Sequence, residues 1–143
     1  NLASAILFKK SSNQFELVSD AKRKQIGHVM FTKIAIQSDN GKLYNEGILA
    51  LAPMAVVPGF QKMGVGKKML EVAIEKTKKL NYKAIVVLGH KEYYSKFGFE
   101  VSTKYSIKSP FDVPEENFMV LKLDNTADEI TGLAVYPDVF YVV

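Results

Sequence analysis

The sequence predicts one domain of the α/β (α+β) class. Three neighbouring segments support this prediction: a nearly all-apolar strand at residues 51–57, an amphipathic helix at residues 65–80 and a short aliphatic run at residues 84–88. A strand, a helix and a second strand joined by short links form a right-handed βαβ unit, in which the two strands run parallel. The chain of 143 residues is long enough to bury a core without disulfides.

The segments before this unit are predicted to be strands joined by turns. Their order is an amphipathic stub at residues 2–8, a strand at residues 15–18, a charged hairpin turn at residues 19–24, a second strand at residues 26–36 and a third at residues 47–57. Asn40-Gly41 is a strong turn signal, because this pair supplies the positive φ angles of two-residue hairpins. Pro53 removes a hydrogen-bond donor from the third strand, so we expect that strand to bulge or splay there.

The helix and the segments after it follow from periodicity and from turn residues. The apolar positions of the helix recur every three to four residues, and they are Val65, Met69, Leu70, Ala73, Thr77 and Leu80. Asn81 ends this helix, and Gly98 ends a short helix predicted at residues 92–97. Two further strands are predicted at residues 100–105 and 117–123, on either side of a proline-containing loop.

Composition and charge narrow the functional classes. The net charge is +4, but the lysines are scattered and form no basic stripe with interleaved aromatic residues, so nucleic-acid binding is disfavoured. The absence of cysteine excludes disulfides, thiolate metal sites and a cysteine nucleophile. No run approaches the roughly 20 apolar residues of a membrane span, and no signal peptide is visible. We therefore expect a cytoplasmic protein that binds neither nucleic acid nor membranes.

The glycine-containing junction between the third strand and the helix is the most informative feature of the sequence. Glycines at the start of a helix allow a tight turn and expose backbone N–H groups, which favour a phosphate or pyrophosphate. A P-loop does not fit, because Gln61 replaces its first glycine and Lys68 replaces its Ser or Thr. The dinucleotide fingerprint does not fit either, because Met69 replaces its third glycine.

The same junction resembles a known family motif. The pattern Gln61-x-x-Gly64-x-Gly66, with Val56-x-Pro58 upstream, resembles motif A of the GCN5-related N-acetyltransferase (GNAT) superfamily. The GNAT fold implied by this resemblance has a mixed, mostly antiparallel central sheet and helices on both faces. A splayed parallel pair of strands surrounds its acetyl-CoA cleft.

A second region strengthens the resemblance. Tyr94, followed four residues on by the Gly-Phe pair at residues 98–99, resembles the other signature of the family. The segment 86–94 and the Tyr-Pro pair at residues 136–137 resemble its YhbS-like branch, so the resemblance covers about residues 26–140. Family members usually begin with a strand and two helices, and here only the N-terminal stub could be the last turn of such a helix. The chain is therefore expected to be a single N-acetyltransferase domain that lacks part of that segment.

The resemblance implies a cosubstrate and the positions that bind it. Acetyl-CoA is the implied cosubstrate, and no metal is implied. The implied binding positions are Met54, Ala55 and Val56 for the pantetheine arm and the acetyl carbonyl, and Gln61, Lys62, Met63, Gly64, Val65, Gly66 and Lys67 for the pyrophosphate. The implied reaction is direct transfer of acetyl to a primary amine of a small molecule, protein or peptide. The alternative is a non-catalytic acyl-CoA sensor, and a homodimer is compatible with either.

The resemblance and the sequence together nominate catalytic groups. Tyr94 occupies the position of the family's general acid, which protonates the departing thiolate. The alternative is that Tyr94 packs in an aromatic cluster with Tyr93 and the neighbouring phenylalanines. His90, after the aliphatic run, and Glu46, before the third strand, are the candidate bases. The backbone N–H of Val56 is the candidate donor to the oxyanion.

Overall fold

The protein is described by a computed structural model for residues 5–10, 14–21, 24–52, 55–56 and 64–138. The strands are β1 (Ala5–Lys10), β2 (Gln14–Ala21), β3 (Lys24–Lys33), β4 (Ala35–Gln37), β5 (Leu43–Tyr44), β6 (Ile48–Leu51), β7 (Ala55–Val56), β8 (Ala84–Leu88), β9 (Glu100–Val101), β10 (Ile107–Lys108), β11 (Phe118–Lys122) and β12 (Gly132–Val135). The helices are α1 (Val65–Lys79) and α2 (Lys91–Tyr94), with short 3₁₀ turns at Ser95–Phe97, Ser102–Tyr105, Glu115–Asn117 and Asn125–Glu129.

Within the described ranges the strands form two sheets. The larger has eight strands in the order β1-β2-β3-β6-β8-β11-β9, with β7 paired to β3 beside this path. Its pairs are antiparallel except for β6 and β8, which run parallel. The smaller sheet has the order β10-β12-β4-β5. The predicted βαβ unit and the mostly antiparallel mixed sheet are both confirmed.

Alternating side chains of the larger sheet build a hydrophobic core on each of its faces. Leu49 and Leu51 of β6 join the core that includes α1, while Ile48 and Ala50 join the core that includes the smaller sheet. This division follows from the two-residue period of a strand. The aromatic side chains of α2 belong to the α1 side. Both described α-helices therefore pack on one face, and the smaller sheet covers the face where the sequence predicted further helices.

The N-terminal stub is a strand, so the prediction of a helical turn there is wrong. Its residues Ala5–Lys10 pair along their whole length with β2. The pairing to a neighbouring strand supplies the backbone hydrogen bonds that a short helical turn leaves unmade. The hairpin of β2 and β3 is also longer than predicted, since β2 extends to Ala21 and β3 begins at Lys24.

Two other predicted strands are interrupted. The strand predicted at residues 26–36 ends at Lys33; the N–H of Ile34 still donates to the carbonyl of Ile48 of β6 (3.1 Å), and the chain then enters the smaller sheet as β4. The strand predicted at residues 100–105 lasts only two residues before it turns into a 3₁₀ segment. The strand β12 is not predicted at all.

The amphipathic helix α1 agrees closely with its prediction. It spans Val65–Lys79, and Asn81 follows it with a φ of 64°. Its buried face contains five of the six predicted residues and also Ile74; the exception is Leu80, which lies at the C-terminal cap and is 39% exposed. No helix in the described part of the chain is long and apolar enough to cross a membrane.

We expect Leu70→Ala to destabilise the protein far more than Leu80→Ala. Leu70 is fully buried in the core against β-strands, so its truncation leaves a cavity that costs roughly 2–5 kcal/mol. Leu80 makes the matched control, because the same substitution at this exposed position costs about 1 kcal/mol or less. Urea unfolding of the two variants checks the difference, and equal free energies of unfolding would contradict the assigned helix face.

Candidate functional site

The parallel strands β6 and β8 stay paired for only four residues and then separate. Their register begins with Ile48 opposite Ala84 and ends with Leu51 opposite Val87. Beyond that point β7 continues along β3 and, among the described strand pairs, has no pairing with β8. The sheet therefore opens at the carboxyl ends of these two strands, as predicted.

The opening coincides with one extra residue in the chain between β6 and β7. Leu51 lies opposite Phe31, and in regular register Ala55 would lie opposite Gly27. Instead Ala55 lies opposite His28, so the register shifts by one residue. This is the geometry of a β-bulge. Bulging was predicted from Pro53, which itself lies outside the described residues together with Met54.

The start of α1 has backbone N–H groups without a partner inside the helix, and it lies beside this opening. Gly64 caps the helix with a φ of 80°, without a side-chain hydrogen bond. The first helical bond runs from the N–H of Lys68 to the carbonyl of Gly64 (3.0 Å). The N–H groups of residues 64–67 therefore have no partner inside the helix. Since α1 has no acidic residue in its first turn, this end suits an anion.

The structure thus brings together part of the predicted cosubstrate site. Ala55 and Val56 lie on β7, where the sheet opens, and helix α1 contacts both β3 and β7. Val65, Gly66 and Lys67 form the first turn of α1. The remaining predicted positions lie outside the described residues, and they are Met54, Gln61, Lys62 and Met63.

A groove runs from the start of α1 toward the segment after β8. Its volume is about 730 Å³, and its lining residues are Lys67, Glu71, Ile74, Glu75, Tyr93, Lys96 and Phe97. Lys67 and Lys96 place two exposed cations along it. Lys67 was predicted from the sequence but Lys96 was not, because no local signal shows that α1 and the turn after α2 lie side by side.

Tyr94 sits in the wall of the open end of the sheet. Its side chain is 8% exposed and makes edge-on contacts with Tyr93 and Phe99, at ring-centroid distances of 5.1 and 5.7 Å. The aromatic packing cluster considered in the sequence analysis is therefore real. Burial raises the pKa of the Tyr94 phenol above its ordinary value, and the nearby Tyr93 adds to this shift. The phenol consequently remains a hydrogen-bond donor at neutral and moderately alkaline pH.

The two candidate bases lie at opposite ends of two adjacent parallel strands, Glu46 before β6 and His90 after β8. His90 is exposed and follows β8 at its carboxyl end, and its backbone carbonyl accepts the N–H groups of Tyr93 and Tyr94 (3.1 Å each). Glu46 precedes β6, next to Gly47, whose carbonyl accepts the N–H of Lys83 (2.8 Å). At about 3.3 Å per residue, Glu46 is roughly 16 Å from the end of β6. Only His90 borders the opening.

A second cavity lies at the same end of the sheet on the face opposite α1. Its volume is about 260 Å³, and its described lining residues are Thr32, Ala50, Leu51, Ala52, Leu88, Phe111 and Tyr136. The rings of Phe111 and Tyr136 meet edge-on with centroids 5.0 Å apart. The sequence analysis did not identify this cavity, because its walls come from β3, β6, β8 and two distant loops.

Comparisons with known proteins agree with these features. The family model of the acetyltransferase (GNAT) domain matches residues 14–101, more than half of the chain. YjhQ of Escherichia coli K12, an uncharacterized N-acetyltransferase, is 30% identical over 119 residues, which are 82% of this chain and 64% of YjhQ. YhbS of the same strain, also an uncharacterized N-acetyltransferase, is 26% identical over 125 residues, 87% of this chain and 72% of YhbS. The chain thus spans less than two-thirds of the length of YjhQ.

Solved structures share the fold. The crystal structure of the GNAT-family N-acetyltransferase YhbS from Escherichia coli in complex with CoA superposes with a TM-score of 0.88 and 20% identity, covering 99% of this chain and 93% of that one. A GNAT-family acetyltransferase from Brucella melitensis in complex with acetyl-CoA superposes with a TM-score of 0.69 and 23% identity, covering 88% and 68%. The likeness confirms the fold that the sequence predicts.

We expect Gly89→Ala to destabilise the protein through its contact with Tyr94. A Cβ at Gly89 would overlap Cε2 of Tyr94 and lie 2.9 Å from its Cδ2. The ring is held by its aromatic neighbours, so the clash costs on the order of 1–3 kcal/mol. In a Tyr94→Ala background the cost should largely vanish, which a double-mutant cycle of urea unfolding measures. An equal cost in both backgrounds would refute the contact.

Proposed function

Because the chain belongs to the GNAT acetyltransferase family, we propose that it transfers acetyl from acetyl-CoA to a primary amine by direct attack in a ternary complex. The observation that carries this proposal is the opened end of the sheet beside the N–H groups of residues 64–67, which have no partner inside helix α1. An opened strand edge suits an extended chain such as pantetheine, and a helix N-terminus suits its pyrophosphate. The CoA-bound structure of YhbS supports the same choice of ligand.

The described residues fit coenzyme A in three places. Ala55 and Val56 offer backbone groups to the pantetheine arm, together with Met54. The first turn of α1 offers N–H groups to the pyrophosphate, and we propose that Gln61, Lys62 and Met63, which lie outside the described residues, bind it as well. The ammonium groups of Lys67 and Lys96 are available to the phosphates at the adenosine end of the molecule, in the groove between α1 and the turn after α2, whose lining also contains the carboxylates of Glu71 and Glu75.

The proposed chemistry is a balanced acyl transfer. Bound acetyl-CoA supplies an activated thioester. The neutral amine forms a bond to the acetyl carbon as the carbon–sulfur bond breaks, and the amine nitrogen loses one proton while the sulfur gains one. Tyr94 is the proposed donor of the proton to the sulfur, and the N–H of Val56 is the proposed hydrogen-bond donor to the carbonyl oxygen. His90, which borders the opening, is the proposed acceptor of the proton that the amine loses. Glu46 is left out of the proposed chemistry because it lies at the amino end of β6, away from the opening.

The competing function is an acyl-CoA sensor that binds without turnover. Such a sensor would have the same coenzyme A cleft as the enzyme. Because it has no turnover, a substitution of Tyr94 would have no effect on a reaction rate. In either case we propose one domain, a cytoplasmic location matching the supply of acetyl-CoA, and no metal requirement. A homodimer is compatible with either function.

We expect Gly64→Ala to weaken acetyl-CoA binding at least roughly tenfold. An αL backbone strains any residue with a Cβ by about 1–3 kcal/mol, and relaxing that strain tilts the N–H groups that face the pyrophosphate. Gly41→Ala is the matched control, because Gly41 has a φ of 89° and Gly64 has a φ of 80°. A Cβ added at either glycine would meet no described atom within 4 Å outside the neighbouring residues.

Calorimetric titration with acetyl-CoA and urea unfolding test this pair of variants. Both variants should lose similar stability, and only Gly64→Ala should lose affinity. Equal affinity in the two variants would remove the start of α1 from the binding site.

We expect Tyr94→Phe to reduce kcat by roughly 10²-fold with little change in acetyl-CoA affinity, because the substitution removes only the hydroxyl. Burial raises the pKa of Tyr94, and a proton donor works below its pKa. The wild-type rate should therefore show no loss attributable to this phenol up to about pH 10, the ordinary tyrosine pKa. Free-thiol release across pH measures both effects. Binding of acetyl-CoA with unchanged turnover in Tyr94→Phe would reject the catalytic role.

A further inference from the structure

We propose that the acceptor is a primary amine with a compact, uncharged and apolar body, and that this body binds in the 260 Å³ cavity opposite α1. The proposal rests on the acetyltransferase function proposed above and specifies its second substrate. It is carried by the position, size and lining of the cavity.

The position of the cavity connects it to the reaction. Leu51 and Leu88 line it, and these residues lie where β6 and β8 end and the sheet opens. Ala50 and Tyr136 also line it, and both belong to the core on the side of the smaller sheet. An amine in the cavity therefore reaches the opening from the face opposite α1, whose first turn suits the pyrophosphate.

The size of the cavity limits the acceptor. Pockets for drug-sized ligands are about 300–1,000 Å³, so a cavity of about 260 Å³ suits a single ring or a short alkyl group. The edge-on pair of Phe111 and Tyr136 forms one wall. Aromatic walls of this kind pack well against another ring or an alkyl chain.

The chemistry of the lining excludes a second charge on the bound group. Its described side chains are aliphatic or aromatic apart from the hydroxyls of Thr32 and Tyr136, and none of them carries a charge at neutral pH. A buried ammonium without a carboxylate partner loses its hydration without compensation. Polyamines and other amines with several cationic groups are therefore disfavoured.

The same lining also promotes the reactive form of the amine. An apolar environment disfavours an ammonium relative to the neutral amine. The bound acceptor thus releases its proton more readily than it does in water, and the neutral nitrogen can then attack. This effect fits a site in which the carboxylate of Glu46 lies at the opposite end of β6 from the opening, so that Glu46 does not take the proton.

A matched pair of substrates tests the proposal. Pentylamine and 1,5-diaminopentane share the same carbon chain, and only the second carries an additional ammonium group. We expect kcat/KM for pentylamine to exceed that for the diamine at least tenfold, with phenethylamine behaving like pentylamine. Free-thiol release measures turnover, and calorimetric titration of each amine into the CoA complex measures binding without chemistry.

A matched pair of variants locates the binding site. Leu88 is 39% exposed and lines the cavity, whereas Leu133 is 44% exposed on the smaller sheet, away from it. Leu88→Glu should lower pentylamine affinity at least tenfold and shift preference toward the diamine. Leu133→Glu adds the same charge and should leave both affinities unchanged.

The outcomes separate this proposal from the function on which it depends. If acetyl-CoA fails to stabilise the protein in a thermal-shift titration, the acetyltransferase function and the acceptor proposal both fall. If acetyl-CoA binds but the diamine is preferred, or neither monoamine is acetylated, only the acceptor proposal falls. Equal effects of the two glutamate variants would show that the amine binds elsewhere.

Discussion

The one-residue register shift between β6 and β7 is the constraint on which the site depends. It keeps β7 on β3 while β6 remains paired with β8, so the two parallel strands separate after Leu51 and Val87. Beyond this point no described strand pair joins β7 to β8, so backbone groups on their facing edges can take hydrogen bonds from a ligand or water. The position of the opening relative to α1 and to Tyr94 therefore follows from the pairing of the described strands.

The two-residue period of a strand places two chemically different sites on opposite faces of the sheet, namely the groove beside α1 and the 260 Å³ cavity. On one face, the first turn of α1 has N–H groups without a partner inside the helix, and two lysines and two glutamates line the adjacent groove. On the other face, small and aliphatic residues with two aromatic rings line the second cavity. Because consecutive residues of β6 point to opposite faces, a single strand supplies both walls. Under the proposed function, an anionic ligand and an apolar one would approach the opening from opposite sides.

Features with a local signal could be predicted from the sequence. The face of α1, the buried strand β8, the turn at Gly41 and the helix end at Gly98 follow from periodicity and backbone preference over a few residues. Features that depend on distant pairing could not. The smaller sheet joins Leu133 to Gln37, and no pattern near either residue reveals this. The same reason hid the aromatic wall at Phe111 and the cation Lys96. The distance of Glu46 from the opening likewise depends on strand direction, for which the sequence near Glu46 carries no signal.

The long-range pairing of these strands also governs how the protein reaches its native state. The strand pairs that contain Ile48 with Ala84 and Val135 with Ala35 must form before the groove and the cavity have their walls. Closing such loops costs chain entropy before contacts form, and folds with many non-local pairs fold slowly. The isolated hairpin of β1 and β2 and the helix α1 can form earlier, but neither contains a cleft. Until the last pairings form, the apolar strands β6 and β8 are exposed to other chains, so aggregation competes with folding at that stage.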